Sequence, residues 1–332
     1  MGYSTKQQHY IPQMILKRFY ADGYALDRES NGKKYLWMYD KEKKIERKIY
    51  DVKQICKKKN LYEIKDKNGN IVNVNMIENS LAKHETQWDI IFNKIEKENI
   101  KISDLSEYEI KELYNFMTLQ LLRMPGMIEK ETEILEKYTN KKMTKNECRA
   151  YILCCSLLEN TTTLFDADIT NFIFTGFLDK IRKKKISIFK SSKPLMLNAS
   201  YPIMWLNDGE VTESNIPNIA FPIGKNILMY SHNKKEEYYD RLFKYEEFIK
   251  LLYITATIYG KFIVTTKPIS SMINIDDINK YSNFNCEIDT RKICQQIQKN
   301  RIDSIINKNN YIHQEHYITD KSFLRRKHEN NR

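Results

Sequence analysis

Four groups of side chains in this chain have types and spacings that suit chemistry. The first is His9-Tyr10, with Pro12 three residues after the histidine. Proline fits the first turn of a helix, where its missing N–H costs nothing. Pro12 therefore marks a helix start, with His9 just outside it, where the positive end of the helix dipole favours a neutral imidazole. That state suits a base or a metal ligand. The second group is Glu78 and Glu85, seven apart and so two turns along one helix face. Leu81 and Trp88 share that face, which sets the carboxylates beside an apolar stripe. Each then needs a partner, from His9, Lys83, Arg123 or a metal. The third is Gln120 and Arg123, three apart at the end of the next helix, with Phe116 on the same face. An arginine there either complements the helix dipole or aims its guanidinium at Glu78, Glu85 or a phosphate. The fourth is Asn198 and Ser200, at a strand end before Pro202, where they face a site or serve ordinary turn chemistry.

Gathered in one pocket, His9, Glu78, Glu85, Gln120 and Arg123 suit the hydrolysis of a phosphodiester or glycosidic bond. His9 or a glutamate would act as base and Arg123 would stabilise anionic charge. These five are the candidate catalytic residues; Tyr10, Asn198 and Ser200 are the candidate substrate contacts. One histidine and two carboxylates also make a plausible facial ligand set, so His9, Glu78 and Glu85 are the expected ligands if a divalent metal takes part. No His-Glu-x-x-His motif fixes one, and His84 points off the face of Glu85.

The elements that must position these residues fall in a simple order. Residues 12–20 read as a first helix, closed by Asp22-Gly23. Tyr35–Tyr39 and Lys44–Tyr50 read as a hairpin around Asp40–Lys43, and Asn60–Ile64 with Ile71–Val74 as a second, turning at Asn68-Gly69-Asn70. Residues 76–98 carry Ile77, Leu81, Trp88, Ile91, Phe92 and Ile95 at helical period. Ser106 and Glu109 have capping-box spacing and open a helix that Pro125-Gly126 stops. Further helices are expected over 144–160 and 163–182. Short strands follow at 186–190, 194–198, 203–206, 220–223 and 226–231, then a helix over 245–259 and a strand over 261–266. The reading is an α+β fold, a single domain with short antiparallel strands at both ends of a central helical layer. Its parts are an N-terminal helix and hairpins (1–75), a helical region (76–183), C-terminal strands and helix (184–267), and a basic tail (268–332), helical in part over 290–306.

Composition bounds the partners. The 332 residues are 41% hydrophobic and 12% aromatic, enough for a packed core, and the formal net charge is +12. A pI near 9.1 points to an anionic partner, RNA or DNA above all, or else to lysine spread over every surface by coding bias. Mean hydropathy is −0.62, no run nears the roughly 18 apolar residues of a membrane span, and the N-terminus lacks a signal pattern. Six cysteines without a Cys-x-x-Cys pair fit reduced thiols in a cytoplasmic protein.

The motif His9-Tyr10-x-Pro12-x-x-x-Leu16-x-x-Phe19 resembles the opening signature of a mainly bacterial family, domain of unknown function (DUF) 4238. Asn60-Leu61-Tyr62, Glu78-x-x-Leu81-x-x-x-Glu85, Gln120-x-x-Arg123-x-Pro125 and Phe221-Pro222-Ile223 resemble its later motifs in order and spacing, over about residues 7–265. The chain departs from the pattern at Ala199-Ser200-Tyr201-Pro202, where relatives carry an acidic residue. The resemblance implies a shared polar set but supplies no activity. The residue types lead to a nucleic-acid-directed hydrolase, a nuclease, in a setting such as phage defence or a toxin. The alternatives are a non-catalytic nucleic-acid- or protein-binding module, and a polar cluster that is purely structural.

Overall fold

The computed structural model describes residues 7–23, 26–65, 70–71, 75–97, 100–123, 142–157, 178–199, 202–206, 218–232 and 261–276, together with 132, 136, 249, 252, 253, 256 and 257. Ser200, Pro125, most of the expected 163–182 helix and the 290–306 segment lie outside the described residues. The architecture is α+β, as the pattern predicts.

Strand β1 (Gln7–His9) leads through Ile11 and Pro12 into helix α1 (Gln13–Lys17). Pro12 occupies the N-cap, and its carbonyl accepts from Ile15 and Leu16. The helix is shorter than the expected 12–20, because Arg18, Phe19 and Tyr20 each bond three residues back and tighten the last turn out of α geometry. Ile15, Leu16 and Phe19 are fully buried.

The hairpin of β2 (Leu36–Asp40) and β3 (Ile45–Ile49) forms as read, with Leu36 opposite Ile49. Of the second expected hairpin the described residues hold one antiparallel bridge, between Lys65 and Ile71, and 66–69 and 72–74 lie outside the described residues. Leu61, Tyr62 and Ile64 are buried in the core, and the Tyr62 N–H donates to the Gln8 side chain. Strand β4 (Lys57–Lys59) pairs antiparallel with β1, placing Lys57 opposite His9. The positive φ of Cys56 and Asn60 brackets β4 and turns the chain at both of its ends.

Two long helices form the layer behind β1. Helix α2 (Met76–Lys97) buries Ile77, Leu81, Trp88, Ile91, Phe92 and Ile95, the expected stripe. Helix α3 (Glu107–Arg123) opens with the expected capping box: Ser106 N donates to Glu109 Oε2 at 2.9 Å, and Glu109 N to Ser106 Oγ at 3.3 Å. Helix α4 (Lys145–Leu157) uses the same device with Thr144 and Glu147. Phe116 of α3 lies edge-on to Trp88, Phe92 and Phe221, at 5.1, 5.0 and 5.0 Å between ring centroids. This cluster joins the helices to the strands.

The later strands make a sheet of order β5 (Lys185–Lys190), β9 (Ile227–His232), β8 (Asn218–Gly224), β7 (Met204–Leu206). Pro222 lies where β8 has run past β7 and its register against β9 shifts, a place where a missing N–H is tolerated. Strand β10 (Phe262–Thr265) pairs with β2 and also with β6 (Leu197–Asn198). The β-rich ends of the chain therefore share a sheet, β3-β2-β10-β6. No helix among the described residues is long and apolar enough to cross a membrane.

Candidate functional site

The polar residues of α2, α3 and β1 meet around Arg123. This side chain is 1% exposed, and each of its three nitrogens donates to a protein oxygen. Nη1 reaches Glu85 Oε1 at 3.0 Å, Nε reaches the Tyr62 phenol oxygen at 2.9 Å, and Nη2 reaches the His9 carbonyl at 2.6 Å. The Tyr62 hydroxyl in turn donates to the His9 carbonyl at 3.0 Å. Three donors from helix and loop thus hold the β1 backbone: Arg123, Tyr62 and, one residue on, Gln120, whose Nε2 donates to the Tyr10 carbonyl at 2.7 Å. Burial works against the guanidinium charge, but the neighbouring Tyr62, Glu85 and Glu78 outweigh it and raise the pKa of Arg123.

Glu85 therefore finds the partner expected for it. Glu78 lies within electrostatic range of Arg123 and Glu85 but makes no ion pair with Arg123 among the described residues. Burial pushes its carboxyl up to about 7; the Arg123 charge opposes the shift and the Glu85 charge adds to it. Its Oε1 is buried with no hydrogen-bond partner among the described residues, as is Oε1 of the fully buried Gln120. Among the described residues, two side-chain oxygens beside this cation thus lack hydrogen-bond partners.

His9 belongs to this group by its backbone more than by its ring. The imidazole is hydrogen-bonded to the Lys53 backbone, and its Nε2 has no partner among the described residues. Burial lowers the pKa of the ring, the Lys53 bond works the other way, and Arg123 and Lys57 add to the lowering. The neutral imidazole predicted from sequence agrees in direction, but its cause is burial and nearby cations rather than the end of the five-residue α1.

The other candidates separate. The Tyr10 phenol is hydrogen-bonded to the Cys56 thiol, and burial raises the pKa of both. Asn198 is buried in β6, and its amide donates to the Ala256 carbonyl at 2.6 Å. That bond ties β6 to Ala256. Among the described residues no group of three or more His, Cys, Asp and Glu side chains is arranged to hold a metal ion, so His9, Glu78 and Glu85 are not gathered as a ligand set.

Two neighbours escaped the sequence reading. Tyr62 was visible as part of Asn60-Leu61-Tyr62, but nothing in that segment shows that its hydroxyl bridges Arg123 and His9. Glu112 lies on the same α3 face as Phe116, Gln120 and Arg123, and its spacing was the available signal. It is buried and accepts from Trp88 Nε1 at 3.1 Å and from Asn115 Nδ2 at 2.9 Å, and lies 3.3 Å from His84 Nδ1. The His84 ring stacks on Trp88, away from Glu85 as expected. Desolvation of Glu112 is more than offset by the His84, Asn115 and Trp88 bonds, and its pKa is lowered.

The family model described as a protein of unknown function, DUF4238, matches residues 7–296. No curated protein and no solved structure matches the chain.

Proposed function

We propose that this chain, which belongs to the DUF4238 family, is a hydrolase directed at nucleic acid, with Glu78 as its proton-transferring group. One observation carries the reading: a buried carboxyl pushed up to about 7, with an unpaired oxygen, beside a carboxylate that is held in an ion pair with Arg123. A carboxyl raised toward neutral pH beside a carboxylate held in an ion pair is an arrangement suited to acid–base chemistry. The net charge of +12 supports a polyanionic substrate. The reading sets the protein in a bacterial cytoplasm, as a nuclease in phage defence or as a toxin.

The experiment is direct. Purified protein is incubated with single- and double-stranded RNA and DNA, with and without Mg²⁺ or Mn²⁺, next to the Glu78→Gln variant. Products are expected from the wild type, with a rate lower by about 100-fold or more in the variant, the range for loss of a general acid–base group. Unchanged polymers under every condition would overturn the reading, as would equal activity in the variant. A second reading has its own support: each Arg123 nitrogen already donates to a protein oxygen, which suits a structural tie between β1, α2 and α3. On that reading the protein binds nucleic acid or a protein without turnover, and binding to nucleic acid weakens steeply with salt.

A further inference from the structure

Resting on that reading, we infer that the bond this site breaks is the N-glycosidic bond between a nucleobase and its ribose in RNA, not the phosphodiester. The buried groups left open beside Arg123 among the described residues are oxygens: Oε1 of the Glu78 carboxyl, and the acceptor Oε1 of Gln120, a side chain 1% exposed. A buried acceptor without a donor costs about 1–3 kcal/mol, and a ligand that brings O–H or N–H groups removes that cost. Ribose hydroxyls and base N–H groups do so. A phosphodiester brings acceptors and negative charge. Arg123 would be its natural partner, yet three of its five N–H groups, one on each nitrogen, already donate to Glu85, Tyr62 and the His9 carbonyl. The Glu85 carboxylate also stands beside that cation, so a phosphate would meet negative charge where it needs donors.

The same groups suffice for base removal. As the C1′–N bond breaks, its electron pair goes to the base nitrogen, and the Glu78 carboxyl gives that nitrogen its proton. The Glu85 carboxylate faces the positive charge that grows at C1′. Water adds its oxygen to C1′ and returns a proton to Glu78. One water is consumed, a free base leaves, and the ribose keeps a C1′ hydroxyl with both of its phosphodiesters intact. A carboxyl held near 7 retains a proton to give at neutral pH. Gln120 contributes its open oxygen to a sugar hydroxyl or base amine and acts in binding.

The test uses the full-length protein, a defined RNA oligonucleotide and a panel of free ribonucleosides. Free base is measured by chromatography, and strand length on denaturing gels before and after aniline, which cuts at abasic positions. Base release is expected, with strands shortened only after aniline. Glu78→Gln should lower release by about 100-fold or more, and the wild-type rate should fall as pH rises through about 7. Gln120→Leu should raise KM with little change in kcat, a readout that survives if the Glu78 variant folds poorly. Strand cutting before aniline without free base would overturn the bond assignment and leave the hydrolase reading standing. Base release from ribonucleosides but not RNA would overturn the nucleic-acid reading and leave the bond assignment standing. No product from either overturns both.

Discussion

Two buried arginines pin the N-terminal segment to the same flank of α2, and they do so in different ways. Glu78, Glu85, Asp89 and Glu96 recur along that flank at helical spacing. Arg18, just after α1, takes the C-terminal half: Nη1 pairs with Glu96, and Nη2 donates to Asp89 Oδ1 at 2.8 Å and Asn93 Oδ1 at 3.1 Å. Its guanidinium carbon lies 5.8 Å from the centre of the Phe92 ring. Both carboxylates in this clamp are open to solvent, Asp89 at 45% and Glu96 at 34% side-chain exposure. Arg123 takes the N-terminal half and holds Glu85, Tyr62 and a backbone carbonyl, while Glu78 and Gln120 keep buried oxygens without donors. The Arg18 clamp leaves its acids hydrated; the Arg123 group holds Glu85 at a lower 24% side-chain exposure and shifts Glu78. An ion pair of the first kind fastens two elements. The second kind also holds a proton-active group, and that difference separates a joint from a candidate site.

The largest effect expected is from breaking the buried hub. Arg123→Met removes the cation that Glu85, Tyr62 and the His9 carbonyl share, and should cost about 3–5 kcal/mol, the range for an uncompensated buried charge. Arg18→Met should cost less, because Asp89 and Glu96 can return to water. Urea unfolding followed by circular dichroism gives both values. An Arg18 loss equal to or above that of Arg123 would erase the contrast drawn here.

The next effect has the opposite sign. The folded-state pKa of Glu78 is raised, so its favourable contribution is complete below the unfolded value near 4.5 and is lost as pH rises through about 7. Above that, the fold carries a buried carboxylate. Glu78→Gln should therefore stabilise the protein at pH 8, by at most about 3 kcal/mol for a shift of this size, and leave it unchanged at pH 4. Thermal melts of both proteins across that range decide the matter; a variant destabilised at pH 8 would mean that Glu78 is an ordinary structural carboxylate. Glu112 on the same hub face of α3 should behave in reverse. Its pKa is lowered, so its contribution is present above the ordinary carboxylate range and lost as pH falls through the lower folded value. Glu112→Gln should cost stability at pH 7, by about 1–2 kcal/mol for weakened bonds to a charged acceptor, and nothing at the acid end.

These contrasts mark what the sequence could carry. Local codes were legible: the apolar period of α2, the Ser106–Glu109 box, the Asp40–Lys43 turn of the β2–β3 hairpin, and the helix spacing that lets Glu85 face Arg123. Each depends on residues within a few turns of one another. Features set by distant pairing were not. Lys57-Lys58-Lys59 reads as a basic run, and only its pairing with Gln7–His9 makes it a strand. Tyr62 reads as part of an alternating strand, yet the Gln8 side chain captures its N–H and Arg123 its phenol oxygen. The burial that lowers the His9 pKa has no local signature either, and the helix end offered as its cause belongs to five residues only. Asn198 sits at a strand end like a site residue, but its partner Ala256 lies in a different part of the chain.

The smallest effect tests the clamp from the side of its acids. Asp89→Asn keeps the shape and removes one charge from a residue nearly half exposed. Its ion pair with Arg18 is therefore worth at most about 1 kcal/mol, and 0.5 M salt should remove most of that difference, since screening at such ionic strength acts within about 4–5 Å. The matching change at the hub, Glu85→Gln, leaves the Arg123 charge buried with two neutral partners, and salt should do little to it. Measuring both variants at low and high salt thus separates an open pair from a more buried one without reference to any activity. If the Glu85 variant were as mild and as salt-sensitive as the Asp89 variant, the Arg123 group would be as wet as the Arg18 clamp. The raised carboxyl of Glu78, and the acid chemistry proposed from it, would then lose their physical cause.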